Sequence, residues 1–87
     1  MIDYINEHAE GAVLLTGFND CIVGITEEFG NGNRVLYSKE KIIQKLMENM
    51  SEEEAYEYFD YNIIGGYFGE QNPVFLSKLF HSLSHPK

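Results

Sequence analysis

The chain has 87 residues, of which 44% are hydrophobic, and this composition is typical of one small globular domain spanning residues 1–87 rather than of a disordered segment. Fourteen acidic residues against six basic ones leave a net charge of −8. Such a surface repels nucleic acid and attracts basic protein surfaces, so direct nucleic-acid binding is not expected. The competing interpretation of the charge is that it keeps a small domain soluble.

Cysteine usage and hydropathy indicate a compartment. Cys21 is the single cysteine and cannot form an internal disulfide, which fits a reducing environment. No apolar run approaches the roughly 18 residues of a membrane span. Met1 is followed by the acidic Asp3 rather than by a basic leader segment. We therefore expect a cytoplasmic protein that is neither secreted nor embedded in a membrane.

The N-terminal residues contain two short predicted elements. Ile2, Ile5 and Ala9 recur at helical spacing, so residues 1–9 are predicted to form a short helix. The apolar run of residues 12–15 lies between glycines and is too short for a helix, so it is predicted to be an extended strand.

A β-hairpin is predicted next. Residues 21–29 are rich in β-branched side chains, and Gly24 within them marks a bulge or a close packing contact. Residues 30–33 read Gly-Asn-Gly-Asn, the clearest hairpin signal in the chain. Residues 34–37 then form the return strand, with alternating side chains facing opposite sides.

Two helices follow the hairpin. Ser38 is the predicted N-cap of an amphipathic helix, and the apolar residues of that helix are Ile42, Ile43, Leu46, Met47 and Met50. Ser51 and Glu54 match a capping box, so the next helix begins almost at once. Gly65 and Gly66 are predicted to end it.

The C-terminal segment leaves two alternatives open. Asn72 and Pro73 either cap a last helix whose apolar side runs to residue 83, or precede a short strand at residues 74–76. Under both alternatives the order of elements predicts an α+β fold, in which a small antiparallel sheet of two or three strands is packed by two or three helices.

Residues 50–75 read MSEEEAYEYFDYNIIGGYFGEQNPVF. This segment resembles a signature of small phage and prophage proteins of uncharacterised function. In that family a helix that begins S-x-E-E-A leads to an asparagine, an I-G-x-Y turn and a G-E-x-x-P-x-F tail. Residues 17–24 and 37–47 match more loosely, and the tail from Leu76 onward departs from the pattern. The resemblance implies a phage-type origin and names no chemistry.

The glycine cluster after the second predicted helix does not match a phosphate-binding loop, because it follows a helix and has no neighbouring lysine or arginine. Gly65, Gly66 and Gly69 are instead predicted to be structural, as a helix cap and a tight turn. Asn62 is placed on the apolar side of its helix. Its amide is therefore predicted to be buried and to hold this loop by hydrogen bonds.

The candidate groups for catalysis or metal binding are Asp20, Asp60, Glu70, His8, His81 and His85. His81 and His85 have the i, i+4 spacing of helical metal ligands, but two ligands alone are weak support for a site. No spacing requires the carboxylates to meet. We therefore expect no catalytic residue, no metal and no cofactor, and Cys21 is interpreted as a core residue. A small metal- or carboxylate-dependent hydrolase is the alternative function.

Tyrosines and acids alternate on the second predicted helix, in numbers that exceed what one core-facing stripe absorbs. Tyrosine favours interface centres because it buries a large area and keeps a polar tip. The predicted protein-binding residues are Tyr56, Glu57, Asp60, Tyr61, Tyr67 and Glu70. The competing interpretation is that these rings cover the edge of the sheet.

The predicted function is that of a small acidic phage-type accessory protein that binds another protein. One version is an inhibitor of a host or defence protein, whose clustered carboxylates compete for a nucleic-acid-binding surface. Homo-oligomerisation is a further version, because exposed aromatic residues are commonly covered by a partner.

Overall fold

The computed structural model describes residues 1–28, 30, 32–66, 69 and 71–78. In chain order its elements are helix α1 (Ile2–His8), a 3₁₀ turn (Asn19–Cys21), strands β1 (Ile22–Thr26) and β2 (Arg34–Ser38), helices α2 (Lys39–Leu46) and α3 (Glu52–Tyr58), a π-helical segment (Phe59–Ile64) and strand β3 (Val74–Leu76). The predicted α+β class is confirmed.

The three strands form one sheet in the order β1-β2-β3. β1 and β2 pair antiparallel as the predicted hairpin, with Thr26 opposite Arg34. β3 pairs parallel to β2, with Phe75 opposite Tyr37, so the sheet is mixed rather than antiparallel throughout. The physical reason is the connection: α2 and α3 lie between β2 and β3, and such a crossover permits parallel pairing.

The bulge predicted from Gly24 is present in β1. The register shifts between Ile22 and Gly24, so Val23 is the additional residue on this strand. Val23 is 44% exposed, whereas the residues on either side of it are half-buried.

Residues 12–15 belong to no strand, so the strand prediction for them was wrong. Their backbone groups are bonded singly rather than in a ladder. The Val13 amide donates to the carbonyl oxygen of Gln71 at 3.0 Å. The Leu15 amide donates to the hydroxyl oxygen of Tyr37 at 2.8 Å. This segment therefore depends on residues far away in sequence.

The core lies between the sheet and the two central helices. Its largest fully buried side chains are Tyr37, Phe59, Ile42 and Val35. The ring of Phe75 on β3 packs edge-on against Phe59, with centroids 5.1 Å apart, and lies 6.1 Å from the Tyr37 ring. Because Phe75 contacts both a strand residue and a helix residue, it joins the last strand to the rest of the core.

The predicted helix starts are confirmed. Ser38 Oγ accepts from the Lys41 amide at 3.2 Å at the beginning of α2. At the beginning of α3, Ser51 Oγ accepts from the Glu54 amide at 3.1 Å, and Glu54 Oε1 accepts from the Ser51 amide at 3.0 Å. Two donors that the helix leaves unpaired are thereby satisfied.

Of the two C-terminal alternatives, the strand is observed at Val74–Leu76. Residues 79–83 of the alternative helix lie outside the described residues. Among the helices that the structure describes, none combines the length and apolar character needed to span a bilayer.

Candidate protein-binding surface

The orientation of α3 is set by three apolar residues at i, i+4 and i+8. Ala55, Phe59 and Ile63 are all buried against the core. In an α-helix four residues exceed a full turn, so a stripe with this spacing drifts around the helix. The π-helical segment has wider turns, with the Gly65 amide donating to the Asp60 carbonyl at 3.2 Å, and this opposes the drift. Ile63 therefore remains in the core.

The remaining sides of the same helix carry four of the predicted binding residues, Tyr56, Glu57, Asp60 and Tyr61, and also Tyr58, which was not among them. Tyr61 is 79% exposed, and Tyr56 and Tyr58 are each 42% exposed. Glu57 and Asp60 are exposed beside them. We call these five residues the tyrosine–acid surface. None of its rings lies in the interior of the monomer.

A shallow, open groove of about 460 Å³ is lined in part by residues of this surface. The residues that line it include Met50, Glu54, Glu57, Tyr58, Tyr61 and Asn62. Glutamate and tyrosine residues thus border the same open space. Both kinds of group attract cations, the carboxylate by its charge and the ring by its negative face.

One flank of this surface meets the basic residues of α2. The Lys39 ammonium lies 5.5 Å from the centroid of the Tyr56 ring and 5.1 Å from that of Phe59. This contact attaches one exposed tyrosine to the body of the domain. An ammonium group within about 6 Å of a ring centroid is attracted to the face of the ring.

The loop after the π-helical segment differs in part from its prediction. Asn62 is exposed, so the prediction that its amide is buried was wrong. The apolar stripe passes through Phe59 and Ile63, which leaves the residue before Ile63 facing solvent. Tyr67 and Glu70, the two remaining predicted binding residues, lie outside the described residues.

Close backbone packing favours glycine at the end of this helix. A Cβ atom on Gly66 would lie 2.8 Å from the Asn62 carbonyl oxygen, and one on Gly65 would lie 3.0 Å from that of Tyr61. Gly65 caps the segment with a φ of −75°, so a left-handed conformation is not the reason for glycine there. Gly69 has a φ of +140°, which only glycine adopts readily.

Asp20 and Cys21 lie together beside α2. The Lys45 ammonium donates to Asp20 Oδ2 at 3.1 Å, and this hydrogen bond lowers the pKa of the Asp20 carboxyl. Cys21 is buried, as predicted, and burial together with the nearby Asp20 charge raises the pKa of its thiol. The thiol is therefore kept in its protonated, unreactive form.

The carboxylates and histidines proposed for the alternative hydrolase are dispersed where they are described. Asp20 is ion-paired with Lys45, and Asp60 is an exposed residue of the π-helical segment. The His8 ring stacks on Tyr4 with centroids 4.1 Å apart. Glu70, His81 and His85 lie outside the described residues. Within residues that the structure describes, no cluster of three or more His, Cys, Asp and Glu side chains is arranged to hold a metal ion.

A polar clamp that was not predicted joins three loops. Gln71 Nε2 donates to the carbonyl oxygens of Glu10, at 3.0 Å, and Asn33, at 2.9 Å. Asn33 Nδ2 in turn donates to the carbonyl oxygen of His8 at 2.7 Å. Gly11, beside the Gln71 side chain, has a φ of +84°, a left-handed conformation that favours glycine. No sequence pattern marks the clamp, because its partners are 25 to 61 residues apart.

Comparison of the chain with protein-family models, with curated proteins and with solved structures finds no match.

Proposed function

We propose that the protein is a non-enzymatic binding module that holds a basic surface of another protein on its tyrosine–acid surface. The observation that carries the proposal is the division of one helix between two roles. Ala55 and Phe59 on one side are completely buried, while Tyr61 on the opposite side is 79% exposed. The domain's own core therefore does not account for the tyrosines.

Exposed rings of this size favour a partner. Tyrosine and tryptophan dominate binding energy at interface centres, because they bury large areas at little cost in side-chain entropy. Tyr58 and Tyr61 line the groove beside α3 and are set among carboxylates. A ring of this kind contributes apolar contact, and its hydroxyl remains available to polar groups of the partner.

Charge indicates the chemistry of the partner. Glu54 and Glu57 line the groove, and the whole chain carries a net charge of −8. Arginine and lysine side chains complement such a groove through ion pairs with the carboxylates and cation–π contacts with the rings. Opposite charge also accelerates the encounter of the two proteins at low salt.

The proposal extends to biological context through the resemblance of residues 50–75 to phage and prophage proteins. In this context the protein acts in the host cytoplasm and binds a basic host or defence protein as an inhibitor. A nucleic-acid-binding surface is the basic surface that an acidic inhibitor would occupy, because phosphate and carboxylate compete for the same cations.

The test compares the wild-type protein with a Tyr58→Ala, Tyr61→Ala double variant and a Met47→Ala control. Met47 is an exposed apolar residue at the end of α2, with 41% exposure. Each protein is immobilised and exposed to host lysate, and proteins retained by the wild type are purified for titration. We expect a partner whose binding is at least tenfold weaker for the double variant and unchanged for the control.

Two further measurements bear on the same experiment. The affinity of the purified partner is expected to fall as NaCl rises, because the proposed contacts are ionic in part. Sedimentation of the wild-type protein alone determines whether copies of this chain cover the surface instead. Equal retention by the double variant, or a stable homodimer that the double variant abolishes, would overturn the proposal.

A further inference from the structure

We propose that a second groove, between α1 and β1, binds an extended basic segment of another protein, which pairs with β1 as an additional strand. This site lies on different elements from the tyrosine–acid surface and does not depend on it. The groove has a volume of about 340 Å³.

One wall of the groove is a single face of α1. Met1, Tyr4, Ile5 and His8 line it, and their spacing of three or four residues places them on the same side of the helix. The Tyr4 and His8 rings stack at 4.1 Å and form a continuous aromatic surface. Ile5 is buried and holds the helix to the core, whereas Tyr4 is 60% exposed.

The other wall is β1 itself, and its geometry indicates an accessible backbone. Ile22, Val23, Gly24 and Ile25 all line the groove. Gly24 has no side chain, so at this position the backbone of β1 itself borders the groove. Within the described residues β1 pairs on one side alone, with β2. The edge of β1 opposite β2 therefore has no strand partner among these residues.

A helix beside an open strand edge is a known arrangement for binding extended peptides. The strand provides main-chain hydrogen bonds, and the adjoining pocket accommodates alternate side chains of the added strand. Gly24 widens this groove, because a Cβ atom placed there would meet no other atom within 4 Å. Val23, 44% exposed at the bulge, adds an apolar contact beside it.

The charge around the groove favours a basic segment as its occupant. Residues 1–33 contain no lysine or arginine. Glu27 lines the groove, and Asp3 and Glu7 are exposed on α1. The first basic residue, Arg34, is engaged by Glu28 at 3.0 Å. A second copy of this chain would bring the same carboxylates and a further charge of −8, so it complements the groove less well than a cationic peptide does.

The inference is tested with a fluorescent octapeptide in which lysine and valine alternate, measured by fluorescence anisotropy at low salt. We expect saturable binding to the full chain. A peptide with glutamate in place of lysine is expected not to bind. A lysine–valine peptide with alternate backbone nitrogens methylated is expected to bind at least tenfold more weakly, because it cannot donate to the edge of β1.

Substitutions in the protein, rather than in the peptide, test the same groove. Gly24→Val places a side chain in the open space and is expected to weaken binding at least tenfold. Tyr4→Ala removes an exposed ring and is expected to weaken it severalfold without affecting the core. Met47→Ala is the control and is expected to bind as the wild type does. Amide chemical shifts are expected to change at residues 22–25.

Several results would overturn this inference. Equal binding of the glutamate peptide would remove its electrostatic basis, and equal binding of the methylated peptide would remove strand addition. Shift changes confined to α3 would place the peptide on the tyrosine–acid surface. Undetectable peptide binding would overturn the inference, and concentration-dependent dimerisation through β1 that displaces the peptide would show that a second copy of the chain occupies the groove.

Discussion

Replacing Tyr37 by phenylalanine tests how the segment between α1 and β1 is attached to the sheet. The Tyr37 ring is fully buried, and its hydroxyl oxygen accepts from the Leu15 amide at 2.8 Å. Leu15 is itself 3% exposed, so water cannot readily replace the lost oxygen. Phenylalanine keeps the ring and leaves this buried amide without that acceptor.

Leaving a buried donor unpaired lowers the free energy of unfolding by about 1–3 kcal/mol. For a domain of this size each kcal/mol lowers the melting temperature by roughly 4–8 °C. Urea denaturation is the primary assay, with the midpoint expected to fall and the m-value to remain unchanged. Hydrogen exchange at the Leu15 amide is expected to accelerate more than exchange in β2.

Tyr61→Phe is the matched control, because it removes the same hydroxyl from a ring that is 79% exposed. Its free energy of unfolding is expected to change by less than about 0.5 kcal/mol. If Tyr37→Phe and Tyr61→Phe unfold at the same urea concentration, the hydrogen bond does not hold residues 12–15 in place. The reasoning about this segment would then be wrong.

Three further predictions concern the helix ends and the ion pair. Ser51→Ala removes the N-cap of α3 and is expected to lower the free energy of unfolding by about 1 kcal/mol in urea. Gly66→Ala places a Cβ 2.8 Å from a helix carbonyl oxygen and is expected to lower the melting temperature. Gly24→Ala places its Cβ in open space and is expected to leave the melting temperature unchanged. Equal melting temperatures of the two variants would contradict this expectation. The pKa of Asp20, lowered by Lys45, predicts that their pairing stabilises the fold at neutral pH and that this contribution is lost as pH falls through the folded-state pKa. An NMR titration of the Asp20 carboxyl checks it, and an ordinary pKa there would refute the pairing.

Several elements were predicted correctly from short sequence patterns. The hydroxyls of Ser38 and Ser51 occupy their predicted cap positions, because capping depends on groups within three residues of one another. The β1–β2 hairpin and the bulge at Gly24 likewise follow from turn residues and from a glycine within a strand. The core position of Cys21 was also predicted.

Errors arose where distant contacts decide the structure. Residues 12–15 look like a strand by composition, but their partners are the Tyr37 hydroxyl and the Gln71 carbonyl rather than a neighbouring strand. Asn62 was assigned to the apolar side of α3, whereas it is exposed next to the buried Ile63. Periodicity alone gave no indication of the wider turn.

The candidate sites likewise depend in part on local sequence and in part on contacts between distant residues. The abundance of tyrosines and acids on α3 is visible in the sequence, but their exposure depends on which stripe the core accepts. The groove beside β1 has no sequence signature, because its walls come from residues 1–8 and 22–27. Only folding brings the Tyr4 ring and the edge at Gly24 to the same space.

By itself, the sequence determined the helix starts, the hairpin and the acidic charge, since each is encoded by residue types that act over a few positions. The tertiary structure alone decided that β3 pairs parallel to β2, that a π-helical segment keeps Ile63 in the core, and that Gln71 joins three loops. These features depend on burial and hydrogen bonding between residues far apart in the chain, and such pairings carry no local pattern.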